Sequence, residues 1–123
     1  MQHLSTINNQ LGAKDLFDAF KIQLAKDFEQ SKFSADFVEK LEPNYGSIHE
    51  KIASELTGIE KKAGINVMQL LNRIDISDVQ LKRYLDENRH QSRFHVIAEL
   101  IIKRVLQKVV IRQYYKNNER NSE

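Results

Sequence analysis

The chain has 123 residues, of which 41% are hydrophobic and 29% are charged, and its formal net charge is +2. It contains no cysteine, one proline and four glycines, which excludes disulfides, thiolate zinc sites and thiol catalysis and leaves few residues for the turns of a many-stranded sheet. This length fits one core. We therefore expect residues 1–123 to form a single all-α domain, a compact bundle of five to six helices with a long, largely buried C-terminal helix.

The two ends of the chain are polar. The first ten residues lack the basic stretch and the apolar run of a signal peptide, and we expect residues 1–10 and 117–123 to be frayed or flexible. Charged side chains interrupt the most apolar segment, residues 94–115, and each would cost about 2.5–3.5 kcal/mol near a bilayer centre. The sequence predicts a cytoplasmic protein that does not enter the membrane.

The first half of the chain shows helical periodicity. Apolar residues recur at three- and four-residue spacing from Phe17 to Phe28 and predict a helix over about residues 13–32. A shorter helix is expected to begin near Ser34 and to end before Pro43, where residues 43–46 form the clearest turn.

Two capping boxes indicate where later helices begin. Ser47 and Glu50 have this spacing, as do Ser77 and Gln80. They predict helices over about residues 47–62, with Gly64 as the C-cap, and over about 77–88.

The last helix, expected over about residues 92–116, is too apolar for a single buried stripe. Apolar surface left exposed after folding would mark a partner or dimer interface, because large exposed apolar patches are uncommon in monomers.

Catalytic and metal motifs are missing from the sequence. The glycines are too scattered for a phosphate loop, and no nucleophile-elbow pattern is present. Glu87 and His90 have the spacing of one half of a di-iron motif, but the second copy is absent. His95 and Glu99 are interpreted as a surface pair. We predict no enzyme activity, no catalytic residues, no cofactor and no metal.

The charge is distributed unevenly. Residues 1–60 carry six Lys and ten acids, a net −4, whereas residues 61–123 carry thirteen Lys or Arg and seven acids, a net +6. This asymmetry suggests an anionic partner for the second half, or docking of one half on the other within or between chains. Arg104, Lys108, Arg112 and Lys116, spaced by four, could neutralise phosphates, or their stems could cover apolar surface while the charges reach water.

One segment of sixteen residues, Leu70 to Leu85, resembles the helix-turn-helix of bacterial repressors. In that resemblance Ile74 to Ser77 form the turn, and the resemblance implies that Gln80, Lys82 and Arg83 lie on or near the groove-facing side of the recognition helix.

The segment departs from that pattern at two positions, Leu71 and Asp75, and it carries an acid, Asp78, near the start of the second helix. Leu71 stands where a small alanine is usual, Asp75 replaces the usual glycine of the turn, and Asp78 would repel phosphate. Aspartate tolerates a left-handed conformation. Two short bundle helices joined by a capped turn would use the same residues.

Two functions remain open. The first is a non-enzymatic helical interaction or regulatory protein that acts through a protein partner or a homodimer. The alternative is a DNA-binding regulator that uses residues 70–88 and the basic C-terminal helix. Its possible nucleic-acid contacts are Gln80, Lys82, Arg83, Arg104, Lys108 and Arg112.

Overall fold

The computed structural model describes the backbone of residues 4–61 and 67–121 and the side chains of residues 6–61 and 67–116. The described residues form helices and no strand. Its elements are α1 (Leu4–Gly12), α2 (Lys14–Gln30), a 3₁₀ helix (Asp36–Lys40), α3 (Tyr45–Lys61), α4 (Met68–Arg73), α5 (Asp78–Glu87) and α6 (Arg93–Asn121). The predicted all-α bundle with a long C-terminal helix is confirmed.

Helix α6 is the central element, and α2, α3 and α5 pack against it. Most of its side chains from Val96 to Val109 are buried, among them Ile101 and Leu106 at 0% exposure. A helix that is apolar most of the way round must be covered on several sides, and these three helices provide that cover. Among the described residues no helix is both long and apolar enough to cross a membrane.

Helix α1 occupies most of the N-terminal segment that we expected to be frayed. Ile7 and Leu11, four residues apart, are buried at 1% and 0% exposure. In addition, the Tyr45 amide donates to Asn8 Oδ1 at 2.9 Å, which ties α1 to the start of α3. Tertiary packing rather than helix propensity forms this element. The remaining terminal residues, 1–3 and 122–123, lie outside the described residues, as does the predicted cap at Gly64.

The start of α3 differs from the prediction. The Ser47 amide donates to Asn44 Oδ1 at 2.8 Å, and the Ile48 amide donates to the Asn44 carbonyl at 3.2 Å. Asn44 is therefore the N-cap, and the assignment of Ser47 to this role was wrong. An asparagine side chain accepts from the N3 amide as well as serine does, and Asn44 comes first in the chain.

The helix-turn-helix-like segment forms α4, a turn and α5. The Gln80 amide donates to Ser77 Oγ at 3.1 Å, which confirms the serine cap of α5. Asp75 has a φ of 65°, so it adopts the left-handed conformation that glycine usually supplies. The amides of Asp75 and Ile76 donate back to the carbonyls of Asn72 and Leu71 at 3.1 and 2.9 Å, the two bonds of a Schellman C-cap.

Candidate interaction surface

The two ends of α6 have different surroundings. Leu100 and Arg104 lie on one line of the helix; Leu100 is only 3% exposed, and Arg104 contacts Ile74 and Asp75 of the turn before α5. The same line continues, at spacings of three and four residues, to Ile111 and Tyr114. The turn still reaches Lys108, and from Ile111 onward this line is exposed.

We define the α6 stripe as Ile111, Tyr114 and Tyr115, three side chains at i, i+3 and i+4. They are 44%, 61% and 63% exposed, and the two tyrosine rings contact each other edge to face with centroids 5.8 Å apart. Tyrosine supplies a large contact area with few rotatable bonds, which is why it is enriched at protein interfaces. The sequence predicted surplus apolar surface on this helix but not that these three residues form it. The signal that could have located them is their spacing of three and four residues, which places all three side chains on one face at the end of the apolar segment.

The predicted basic contacts of α6 are held within the protein. Arg104 donates from Nε to the Ile74 carbonyl at 3.3 Å, and its Nη2 lies 3.6 Å from Asp75 Oδ2. Lys108 Nζ lies 3.9 Å from the same carboxylate oxygen. Arg112 donates to Gln23 Oε1 on α2 at 3.0 Å. The structure therefore brings Arg104 and Lys108 together around an acid.

The predicted contacts of α5 are more open. Lys82 and Arg83 are exposed, whereas Gln80 is half-buried. Both basic side chains line a shallow groove that also contains Val79, which is 74% exposed. Two acids, Asp86 and Glu87, complete the lining of the groove, so the outer face of α5 carries charges of both signs.

A buried carboxylate connects α2 with α4. Asp27 is 1% exposed, accepts a hydrogen bond from Gln23 Nε2 at 3.0 Å and lies 3.7 Å from Arg73 Nε. Its Oδ2 has no hydrogen-bond partner among the described residues. Burial raises the pKa of Asp27 above its usual value, although Lys108, the Gln23 hydrogen bond and Arg73 act in the opposite direction.

A second polar cluster joins α3 to the start of α6. Ser92 Oγ accepts the His95 amide at 3.2 Å, so Ser92 caps α6, and the same oxygen lies beside His95 Nδ1. His95 Nε2 lies 3.1 Å from Glu50 Oε1. The expected pairing of His95 with Glu99 was therefore wrong. We assign this cluster a structural role, because its serine caps a helix and its histidine and glutamate tie that helix to α3.

Glu99 contacts other residues than His95. It accepts a hydrogen bond from the Tyr45 hydroxyl at 3.5 Å and pairs with Lys103 at 3.8 Å. Burial, followed by the negative charge of Glu99, raises the pKa of Tyr45, which keeps that hydroxyl protonated as the donor. His49 stacks on the Tyr45 ring with centroids 5.1 Å apart, so this region is a packed contact between α3 and α6.

Metal ligands do not cluster in the part of the chain that the structure describes: no group of three or more His, Asp or Glu side chains there could hold an ion. Glu87 is the last residue of α5, and His90 lies beyond it in an exposed turn. Their spacing in sequence is therefore not the i, i+3 spacing of a single helix. No family model, curated protein or solved structure matches the chain, so its function has to be argued from the arrangement of these residues.

Proposed function

We propose that this protein is a non-enzymatic helical interaction module that binds a protein through the α6 stripe. The observation that carries the proposal is the exposure of Tyr114 and Tyr115 at 61% and 63% on a helix whose preceding turns are buried. Exposed aromatic pairs of this kind resemble the anchors that contribute most of the binding energy at interfaces.

The basic residues around the stripe indicate the chemistry of the partner. Residues 104–116 contain Arg104, Lys108, Arg112 and Lys116 and no acid. Arg112 and Lys116 are exposed. A partner that covers the stripe therefore needs apolar side chains at its centre and acidic side chains at its margin.

The experiment is photo-crosslinking in cells. A photoreactive phenylalanine derivative replaces Tyr114, and in the control variant the same derivative replaces Arg89. The Arg89 side chain is 82% exposed, but it lies in the turn between α5 and α6, outside the stripe. We expect a protein cross-link from position 114 that does not form from position 89. If position 114 gives no more cross-linking than position 89, the proposal fails.

DNA binding is the second proposed function. The capped turn at Asp75 and the exposure of Lys82 and Arg83 support it, because these are the features that a helix-turn-helix reader needs. Fluorescence anisotropy with mixed-sequence duplex DNA at low salt tests it. We expect affinity that falls steeply with salt and that is mostly lost in a Lys82→Ala/Arg83→Ala variant. A flat signal would eliminate this function.

A further inference from the structure

A groove on the acidic half of the molecule has the features needed to accept a helix. It lies between α2, the 3₁₀ helix and α3, with a volume of about 690 Å³, which is within the range of ligand-binding pockets. Ile22 and Ala25 of α2 line one side, and Ala35, Phe37 and Val38 continue the apolar lining. Ile22 is 71% exposed, so a large apolar side chain stands open to solvent at this groove.

The charges around the groove complement those of the α6 stripe. Four carboxylates and three lysines line it, a net charge of −1. The carboxylates belong to Glu29, Asp36, Glu39 and Glu55. Asp18, one turn before Ile22, is also exposed. The stripe, in contrast, is flanked by the exposed cations Arg112 and Lys116. The two surfaces lie in the chain halves that carry net charges of −4 and +6 (ten acids against six Lys in residues 1–60; seven acids against thirteen Lys or Arg in residues 61–123).

The spacing of the stripe residues is typical of a helix that binds in an apolar groove. Helices that bind in grooves insert apolar anchors at i, i+3, i+4 and i+7, and the stripe supplies the first three of these positions. In its own molecule the stripe is exposed rather than inserted. Any groove that it fills therefore belongs to another molecule.

From this complementarity we infer that the α6 stripe of one copy docks into the groove between α2, the 3₁₀ helix and α3 of a second copy. The inference rests on the proposed function, since it names the partner of the same stripe. The two surfaces differ, so the contact is heterologous, and each copy carries one stripe and one groove. The exposed Arg112 and Lys116 beside the stripe then approach a groove that four carboxylates line.

Sedimentation velocity over a range of concentrations at low salt tests the inference with three variants. Tyr114→Ala/Tyr115→Ala removes the anchors of the stripe. Ile22→Lys places a cation in the groove where basic residues must dock. Val79→Lys is the matched control, because Val79 is 74% exposed but lies on α5, outside both surfaces. All four positions are exposed, so the variants should fold, and circular dichroism checks this.

We expect the wild-type chain and Val79→Lys to associate equally, and the other two variants to raise the dissociation constant by more than about ten-fold. Association should also weaken as salt is increased. Mixing Ile22→Lys with Tyr114→Ala/Tyr115→Ala should restore association, because the mixture contains one intact stripe and one intact groove.

Three results would overturn the inference. The wild-type chain could stay monomeric at every concentration, Ile22→Lys could associate like wild type, or the mixture could fail to recover. The second result would show that Ile22 and its groove take no part in the association. Cross-linking from position 114 distinguishes failure of this inference from failure of the proposed function. A cross-link to a different protein, or to α6 of a second copy, would contradict the inference but would still identify the stripe as a binding surface.

Discussion

The ends of α2 and α4 use the same turn with different side chains at its critical position. Each helix ends in a Schellman motif, in which Phe33 donates to the Phe28 carbonyl and Ile76 donates to the Leu71 carbonyl, both at 2.9 Å. Lys32 and Asp75 occupy the left-handed position, with φ of 70° and 65°. The residues that these two bonds join form an apolar pair in each turn, Phe28 with Phe33 and Leu71 with Ile76. All four side chains are buried.

The difference between Lys32 and Asp75 shows what each turn requires. Lys32 is exposed, whereas Asp75 lies beside Arg104 and Lys108. Since the apolar pair and the backbone bonds are common to both turns, they determine the geometry, and the left-handed residue need only tolerate it. At Asp75 the side chain also neutralises two cations of α6.

The largest expected effect comes from removing the buried side chain that precedes each turn. Phe28→Ala and Leu71→Ala should lower the free energy of unfolding by about 3–5 and 2–5 kcal/mol respectively, because both side chains are 0% exposed. Urea denaturation measures the change. The matched control is Tyr114→Ala, which should change stability by less than about 0.5 kcal/mol because it is exposed. If either core variant lost no more than this control, the apolar pair would not determine the turn.

The second prediction concerns the left-handed residues. Lys32→Gly should raise the free energy of unfolding by roughly 1 kcal/mol, because a non-glycine side chain is strained at this φ. Asp75→Gly should raise the free energy of unfolding by less. Aspartate tolerates this conformation better than lysine does, and the substitution also removes the contacts with Arg104 and Lys108. Thermal unfolding of the two variants measures the ranking. An equal or larger gain at Asp75 would contradict the comparison.

The sequence predicted the turn at Asp75 but not the one at Lys32. Aspartate in place of a turn glycine is a recognisable substitution, whereas lysine has no special preference for positive φ. The turn at Lys32 depends on Phe33 packing edge to face against Phe28, with centroids 6.4 Å apart. Such a contact depends on tertiary structure, which periodicity does not describe.

The same limit explains the other differences between sequence and structure. Helix α1 forms because Ile7 and Leu11 pack into the core. Asn44 rather than Ser47 caps α3 because the helix begins at Tyr45, before Ser47 is reached. The periodicity predicted the α2 and α6 helices well, since long apolar patterns depend little on context. The periodicity could not show that Arg104 and Lys108 pair with Asp75 of the same molecule. Basic residues at this spacing could equally contact solvent, a phosphate or another part of the protein.

A pH-dependent prediction concerns Asp27, which lies in the last turns of α2 and is 3.7 Å from Arg73 Nε at the end of α4. Because burial raises the pKa of Asp27 above the ordinary value of 3.8, the folded state binds more protons than the unfolded state between 3.8 and that raised pKa. Stability from this group therefore falls as pH rises through that window.

Asp27→Asn removes this dependence. We expect the variant to be more stable than wild type at neutral pH, and the difference to shrink as pH falls through the window, because the wild-type carboxyl then becomes neutral as well. Denaturation at several pH values measures both effects, which should be smaller than those of the core variants. A difference that grew on acidification would show that the pairing with Arg73 outweighs burial.

The smallest expected effect is that of Asp75→Asn. Asparagine tolerates the left-handed conformation as aspartate does, so this substitution changes the charge of the turn and leaves its geometry intact. Asp75 is 65% exposed in its side chain, and exposed ion pairs contribute little. We expect a loss of no more than about 0.5 kcal/mol at low salt, and a smaller loss as salt screens the pair. A loss of more than about 1 kcal/mol, or one that salt does not reduce, would mean that Asp75 organises Arg104 and Lys108 as part of the packing. The left-handed residue would then determine the turn after all, and the two Schellman turns would differ in what holds them together.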